Sequence, residues 1–290
     1  MAGDHAAARA AYEQALTISI DLAVKVPAYL EFQAAVAANQ ESLGKILLAM
    51  GDAPAALAAL ENSLAFRKEL ARQAPDNRDW QRNIAVAHNG IGDVRYAMKD
   101  LAGALADYQA ARAVTQRLAD ADPMNPERLR DLMIGRTLTG DARLALGDQP
   151  GALADYVAAL EGAKRLAATS PGNAGYRRDL SVSHTKVGDI HFAMNDKVAA
   201  AEAFAAGLEI AEALAARDPG NAIWQRDLII AHYSLAQAGE SPKEHLQKAL
   251  TVADALKASG RLAPADDYIP GALRGELAAL EAKNPLPPQP

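Results

Sequence analysis

Five prolines recur along the chain at a constant spacing of 48 residues, at positions 27, 75, 123, 171 and 219. Closely similar text follows four of them: PDNRDWQRNI, PMNPERLRDL, PGNAGYRRDL and PGNAIWQRDL. A glycine stands seventeen residues after each of the first four prolines, at positions 44, 92, 140 and 188, and Ala236 replaces it in the fifth copy. A period in this range indicates a repeat array, in which each repeat buries its apolar face against its neighbours.

Each 48-residue repeat is predicted to form two helices. Asn77 is a suitable N-cap, and apolar residues recur at helical spacing up to Met98, which predicts a first helix over 77–98. Asp100 then caps a second helix that ends just before Pro123. Alanine, the strongest helix former, occupies 68 of the 290 positions. The sequence therefore predicts an all-α fold.

Composition and motifs exclude several classes of function. The chain has no cysteine, so it has no disulfide framework, thiolate zinc site or cysteine nucleophile. Its formal charge of −6 makes nucleic acid a poor partner. No apolar run of membrane-spanning length and no signal peptide is present, which predicts a cytoplasmic protein with no membrane partner.

Searches for catalytic and cofactor motifs are negative. The sequence contains no P-loop, dinucleotide-binding fingerprint, zinc-protease motif or nucleophile elbow. His184 and His191 lie two helical turns apart, too far to share an ion without a third ligand. We therefore expect no enzyme activity, no metal and no cofactor.

The repeats resemble the tetratricopeptide repeat (TPR). Ile91-Gly92, Ala104 with Tyr108, and Pro123 match that family's pattern. Three further Ala and aromatic pairs occur at Ala8 and Tyr12, Ala152 and Tyr156, and Ala200 and Phe204. The repeat is longer than the family's usual length, and the family's tryptophan position holds Gln40, His88, Arg136, His184 and His232. The long DPxNxxWQRDL form is similar to arrays in bacterial multidomain signalling proteins.

The resemblance implies a right-handed α-solenoid of stacked antiparallel helix pairs, a TPR-like superhelix of about twelve helices. We expect one solenoid over 1–284, with repeats at 27–74, 75–122, 123–170 and 171–218 and a shortened repeat at 219–260. The second helix of the short repeat should open with a capping box at 241–244. A capping helix over 270–282 should cover the last repeat, and a disordered Pro-rich tail should follow over 285–290.

The first predicted helix, over 4–25, aligns with a second helix whose partner is missing. Either the chain is a fragment, or the face left open is used. Ala7, Ala11, Leu16 and Ile20 would form that apolar face. Exposed patches of this kind favour association, so a homo-oligomer through this helix is one expected partner arrangement.

The resemblance also implies a binding groove on the first helices, which line the concave face of such arrays. The family's groove positions, extended by one turn, transfer to four stripes: Arg82, Val86, Asn89, Asp93 and Tyr96; Arg130, Ile134, Thr137, Asp141 and Leu144; Arg178, Val182, Thr185, Asp189 and Phe192; and Arg226, Ile230 and Tyr233. Helical geometry separates the arginine row from the aspartate row by about 16 Å.

Two interpretations of these rows remain open. The arginines and aspartates could hold the carboxylates and basic groups of a protein or peptide partner. Alternatively, the arginines could tie neighbouring repeats together through Asp131, Asp179 and Asp227. Like charges stacked in a row are unfavourable unless something neutralises them, which favours a basic partner for the aspartates.

The sequence thus predicts a non-catalytic protein- or peptide-binding scaffold. The alternative is a self-assembling or ligand-sensing regulatory module of a bacterial signalling or defence system. Its effector domain would lie on another chain or be missing from this one. The identity of the partner does not follow from the sequence, because a fold does not determine a function.

Overall fold

The computed structural model describes residues 2–283, so the tail predicted over 285–290 lies outside the described residues. These residues form twelve α-helices and no strand. The helices are α1 (Ala2–Lys25), α2 (Leu30–Ala49), α3 (Ala53–Gln73), α4 (Arg78–Ala97), α5 (Leu101–Ala121), α6 (Pro126–Ala145), α7 (Gln149–Thr169), α8 (Ala174–Ala193), α9 (Lys197–Arg217), α10 (Ala222–Ala238), α11 (Pro242–Ala258) and α12 (Ile269–Lys283). A short 3₁₀ helix, Pro264–Asp266, precedes α12.

The chain is an all-α repeat solenoid, as predicted. Successive helices pack as pairs, with α2 against α3, α4 against α5, α8 against α9, and α10 against α11. Two compact units can be distinguished, one up to Asp155 and the other from Tyr156, and the division falls within α7. The predicted boundaries of a single array over 1–284 stay a prediction.

Local caps explain where the helices begin. The Asn77 side chain accepts hydrogen bonds from the backbone N–H groups of Asp79 and Trp80, both at 3.1 Å. Asn125, Asn173 and Asn221 cap the later first helices in the same manner. Second helices begin after an aspartate, as at Asp100, whose Oδ1 accepts from the Gly103 backbone N–H at 3.0 Å. These caps satisfy backbone donors that the first helical turn leaves free.

The capping box predicted over 241–244 is wrong. Ser241 has a left-handed backbone, with φ 37° and ψ 54°, and its side chain makes no capping hydrogen bond. A capping serine needs an extended backbone to direct its hydroxyl at the first turn. Only the second part of this prediction, Pro242 at the start of α11, is confirmed.

The repeated glycine lets the two helices of a pair approach closely. A methyl group at Gly92 would lie 2.5 Å from a ring carbon of Tyr108 in α5. At Gly188 it would lie 2.3 Å from a ring carbon of Phe204 in α9. Both rings are buried, so the glycine of the first helix and the aromatic residue of the second form one packing contact.

Each unit has its own buried apolar core. In the first unit, Leu60 of α3 packs with Ala87, Ile91 and Val94 of α4. In the second unit, α8 packs on α9 and α10, and a further cluster joins Leu246 and Ala253 of α11 to Leu273 of α12. The helix predicted to cap the last repeat is therefore present as α12, packed on α11.

Candidate functional site

In the first unit, four residues of the predicted α4 stripe, Arg82, Val86, Asn89 and Asp93, meet in one cleft. This cleft, called here the α4 cleft, has a volume of about 280 Å³ and lies among α2, α4 and α6. Arg82, Asn89 and Asp93 line it together with Glu41, Lys45, Ala85, Val86, Gly90, Thr115, Asp131 and Ile134. Tyr96, also on α4, is half-buried and does not line the cleft.

The predicted arginines engage in ion pairs with the following repeat. Arg82 Nη2 donates to Asp131 Oδ1 at 2.8 Å, and Arg178 Nη2 donates to Asp227 Oδ1 at 3.1 Å. In both pairs Nε also contacts the second carboxylate oxygen, at 2.5 Å. Such two-point contacts fix the geometry of both side chains. Both ion pairs join neighbouring repeats, as the second interpretation of the arginine row requires. The role of these arginines in binding a partner stays a prediction.

The last arginine of the row, Arg226, has a different kind of partner. Its Nε donates to Asp266 Oδ2 at 2.7 Å and its Nη2 donates to Asp266 Oδ1 at 3.2 Å. Asp266 is buried and belongs to the short 3₁₀ helix. The repeat text does not point to this acid, because the 3₁₀ helix lies after the last predicted repeat, 219–260. Arg130, the remaining arginine of the row, is exposed on α6.

Asp93 has a neutral partner. The Tyr108 hydroxyl donates to Asp93 Oδ1 at 2.8 Å. Asp93 is exposed along the stripe, yet partial desolvation of its carboxyl raises its pKa, while the tyrosine hydroxyl acts in the opposite direction. Burial, followed by the bond to Asp93, raises the pKa of Tyr108 far above its ordinary value. Asp141 and Asp189 occupy the same repeat position on α6 and α8.

The other stripe residues are divided between internal contacts and open surface. The hydroxyls of Thr137 and Thr185 donate to backbone carbonyls within their own helices, at 3.1 and 3.2 Å. Leu144 is half-buried, and Phe192 is 37% exposed. The stripes therefore present apolar side chains to solvent more than they present hydroxyls.

Tyr233 belongs to a second pocket, in the second unit. Its hydroxyl donates to Glu276 Oε1 of α12 at 2.8 Å. The pocket has a volume of about 230 Å³, and its lining includes Arg226, Ile230, Tyr233, Tyr268 and Glu276. The last stripe thus lies beside α12, and Ile230 and Tyr233 are still 37% and 36% exposed.

Two buried aspartates on the second helices were not predicted. Asp107 lies 2.8 Å from His88 Nδ1 and also accepts from Arg95. Asp155 accepts from Arg112 Nη1 at 2.6 Å and from Arg143 Nη1 at 2.7 Å. Desolvation raises the pKa of Asp155, and the two arginines lower it. The sequence does carry a signal for these two acids, because both stand in the repeated text ALADY, 48 residues apart.

Within 2–283 no group of three or more histidine or acidic side chains is placed to hold a metal ion. His191, of the pair considered above, lies 3.7 Å from Asp196 through its Nδ1. None of the helices in this range is long and apolar enough to cross a membrane.

Comparison with known proteins identifies the fold. No protein-family model and no curated protein matches the sequence. Among solved structures, BtubC (BKLC) from P. vanneervenii superposes with a TM-score of 0.65 at 16% identity, covering 99% of this chain and 94% of that one. The Podosopora anserina putative kinesin light chain TPR-like repeats give a TM-score of 0.51 at 14% identity, covering 76% and 92%.

A third similar structure is the Rap conjugation gene regulator of plasmid pLS20, which was solved with the Phr* peptide. Its TM-score is 0.53 at 15% identity, covering 88% of this chain and 65% of that one. At these identities the likeness concerns the fold alone. The fold of this chain is TPR-like.

Proposed function

We propose that this protein is a non-catalytic scaffold that binds a protein or peptide along its first helices, in the predicted concave groove. One observation carries the proposal. Ile134, Val182 and Ile230 stand 48 residues apart at one repeat position, and each is 37% exposed. An apolar position that repeats and stays open to solvent is typical of an interaction surface.

The solved neighbours support a peptide as the partner. Two Rap proteins of TPR-like fold were solved in complex with the Phr* peptide and with the Competence and Sporulation Factor. We assign the repeats to a long, 48-residue variant of the TPR and the protein to the bacterial cytoplasm, on the resemblance of their text. Neither nucleic acid nor a membrane is proposed as a partner.

The proposal can be tested with peptides selected from a random library against the full chain. The variant Ile134→Thr/Val182→Thr/Ile230→Thr removes apolar contact at the repeated position, and we expect it to weaken the selected peptides by about tenfold or more. Val198→Thr is the matched control, because Val198 is 72% exposed on the second helix α9. Equal losses from both variants, or no loss from the triple variant, would reject the stripe as the binding surface.

The aspartate row supplies a separate arm of the same test. Asp93→Asn/Asp141→Asn/Asp189→Asn keeps the shape of the side chains and removes three negative charges. If the row faces a basic partner, this variant should weaken binding most at low salt, where charge interactions are least screened. Full binding by this variant would remove the aspartates from the proposed site.

A ligand-sensing regulatory module is the alternative that uses the same surface. The similarity in fold of this chain to the Rap conjugation gene regulator of plasmid pLS20 makes this alternative specific. A sensor must change its conformational equilibrium when its ligand binds. Hydrogen exchange with and without a selected peptide would distinguish the two, because a passive scaffold is protected only at its contacts.

Self-assembly is a second candidate, favoured by the exposed face of α1. Ile20 is 43% and Val24 is 75% exposed, and they stand one helical turn apart. Measurement of the mass in solution tests this candidate independently of any peptide.

A further inference from the structure

One carboxylate of the α4 cleft has no ion pair with any described residue. Three carboxylates, from Glu41, Asp93 and Asp131, line the cleft with two cations, Lys45 and Arg82. Glu41 is paired with Lys45 at 2.5 Å and also with Arg67 of α3, which does not line the cleft, and Asp131 is paired with Arg82. Of the charged residues lining the cleft, Asp93 is the acid left without an ion pair. Its contact is the neutral hydroxyl of Tyr108.

Asn89 adds a second polar group without a full set of partners to the same wall. Its Oδ1 atom is buried and accepts no hydrogen bond from the described residues. A buried carbonyl oxygen without a donor costs free energy, because the group loses water and gains no partner. The terminal torsion of asparagine is broad and nearly two-fold, so the amide can turn its oxygen towards a donor that enters the cleft.

The two groups are placed to act together. Asn89 and Asp93 stand four residues apart on α4, and such residues are neighbours on one face of a helix. A primary ammonium carries three N–H donors and one positive charge. It can therefore satisfy the Asn89 oxygen and neutralise the Asp93 carboxylate at once. Ala85, Val86 and Ile134 supply an apolar wall for the methylene groups behind it.

We infer that the α4 cleft is a subsite for a primary ammonium group, bound by Asn89 Oδ1 and the Asp93 carboxylate. The inference deepens the proposed function and rests on it, since the ammonium would belong to the bound peptide. A lysine side chain and a peptide amino terminus carry this same chemistry. Desolvation raises the pKa of Asp93 by more than the hydrogen bond from Tyr108 and the charge of Lys45 lower it.

Simple amines can test the subsite on the full chain. Butylammonium and butyltrimethylammonium have equal charge, but only the first has N–H donors. NMR titration that follows the side-chain amide of Asn89 should show butylammonium binding about tenfold more tightly or better. Equal binding of the two amines would overturn the inference, because a cleft that merely attracts positive charge does not distinguish them.

Variants separate the two acceptors. Asp93→Asn should weaken butylammonium binding about tenfold. Asn89→Asp, whose side chain can only accept hydrogen bonds, should tighten it, with binding to this variant followed at the backbone amide of residue 89. Asp120→Asn is the control, because it removes the same charge from an exposed aspartate of α5 that does not line the cleft, and it should change nothing at Asn89. Weaker binding by Asn89→Asp, or unchanged binding by Asp93→Asn, would contradict the assigned roles.

Two pentapeptides, one acetylated at its amino terminus and one with a free amino terminus, distinguish the two sources of the ammonium. Acetyl-Ala-Ala-Lys-Ala-Ala-amide offers only a lysine side chain, and penta-alanine amide offers only an amino terminus. Binding of one of them at Asn89 names the source, and binding of neither, while butylammonium binds, would overturn the assignment to a peptide. Library peptides that need the apolar stripe but ignore Asn89 and Asp93 would reject this inference alone. Amine binding by a chain that selects no peptide would reject the proposed function alone.

Discussion

The turn between the helices of a pair passes through a residue with a left-handed backbone. Gly51 and Gly147 adopt it with φ 86°, whereas Lys99 adopts it with φ 66° and Asn195 with φ 62°. Glycine enters this region freely, and a residue with a Cβ atom does so at a cost of about 1–2 kcal/mol. Lys99 is therefore a strained position within an otherwise regular repeat.

We expect Lys99→Gly to stabilise the protein. Relief of about 1–2 kcal/mol in the folded state exceeds the roughly 0.4–1 kcal/mol lost to the greater freedom of glycine in the unfolded chain. The net gain in the free energy of unfolding should be about 0.5–1 kcal/mol, measured by urea denaturation. Lys68→Gly, on the exposed face of α3, is the control and should destabilise by about 1 kcal/mol. Destabilisation by Lys99→Gly would show that the turn is not strained.

A buried histidine pair gives the second unit a dependence on pH. His232 is 3% exposed, and its Nδ1 lies 3.0 Å from Nδ1 of His245. Desolvation, and then the neighbouring His245, lowers the pKa of His232 to about 4. Desolvation also lowers the pKa of His245. The folded protein therefore keeps His232 neutral at pH values where the unfolded chain, with a histidine pKa of about 6.5, binds a proton.

Stability should fall as the pH is lowered from about 6.5 to 4, because the unfolded state takes up protons that the folded state refuses. We expect the His232 contribution to this loss to be on the order of 2 kcal/mol. His232→Gln removes the titrating group, so the variant should lose less stability than the wild type between about pH 6.5 and pH 4. Parallel pH profiles from urea denaturation would mean that His232 does not titrate as described.

At the residue scale, local chemistry was predictable and long-range context was not. Asn77 and Asp100 cap helices as predicted, because a cap depends on the residue and its next three neighbours. Ser241 has the same local signature and makes no cap, because its backbone is left-handed, with φ 37° and ψ 54°. The orphan oxygen of Asn89 depends on distant neighbours and has no sequence signal.

At the scale of the helix, ion pairs connect the first helices of neighbouring repeats, and removing one tests how much it contributes to stability. The Arg82 guanidinium reaches from α4 to Asp131 on α6, and the carboxylate of Asp131 is only 14% exposed. Removing a charged partner leaves the other group desolvated and unpaired, at a cost of about 1–3 kcal/mol. We therefore expect Arg82→Ala to lower the free energy of unfolding by that amount.

A double-mutant cycle with Asp131→Ala isolates the pair itself, and a coupling energy of about 0.5–3 kcal/mol is expected. The exposed pair of Arg72 and Glu69 on α3 is the control, since its arginine is 72% exposed. Such surface pairs contribute about 0–1 kcal/mol, so Arg72→Ala should have little effect. A coupling energy near zero for Arg82 and Asp131 would leave those residues available to a partner.

Helix positions followed from the repeat, but contacts between helices followed only in part. The prediction of a first helix over 77–98 matches α4 and its two caps. The buried acids Asp107 and Asp155 were missed because an aspartate on an alanine-rich helix has the sequence pattern of a solvated residue. Their burial depends on Arg95 and Arg143, whose long side chains reach across from the first helices.

At the scale of the whole molecule, the repeat period was enough to predict the architecture, because each repeat buries its apolar face against its neighbours in the same way. The α4 cleft did not follow from the period. Asp93 and Asp131 recur in later repeats, but Lys45 stands at the position where those repeats hold aspartate. Asn89 stands at the position where the next two repeats hold threonine. Binding sites in repeat proteins arise from such departures, which a search for sameness overlooks.

The last prediction concerns association through α1. Ile20 and Val24 form an exposed apolar pair on one face of this helix, and burying apolar surface is the main driving force for association. We expect the average mass in sedimentation equilibrium to rise with protein concentration, and Ile20→Lys/Val24→Lys to keep the protein monomeric, because two buried lysines would oppose contact. Val198→Lys, at an exposed valine of α9, should associate as the wild type does. A wild-type mass that stays monomeric at every concentration would exclude self-assembly through this face and leave the peptide-binding surface, as scaffold or as sensor.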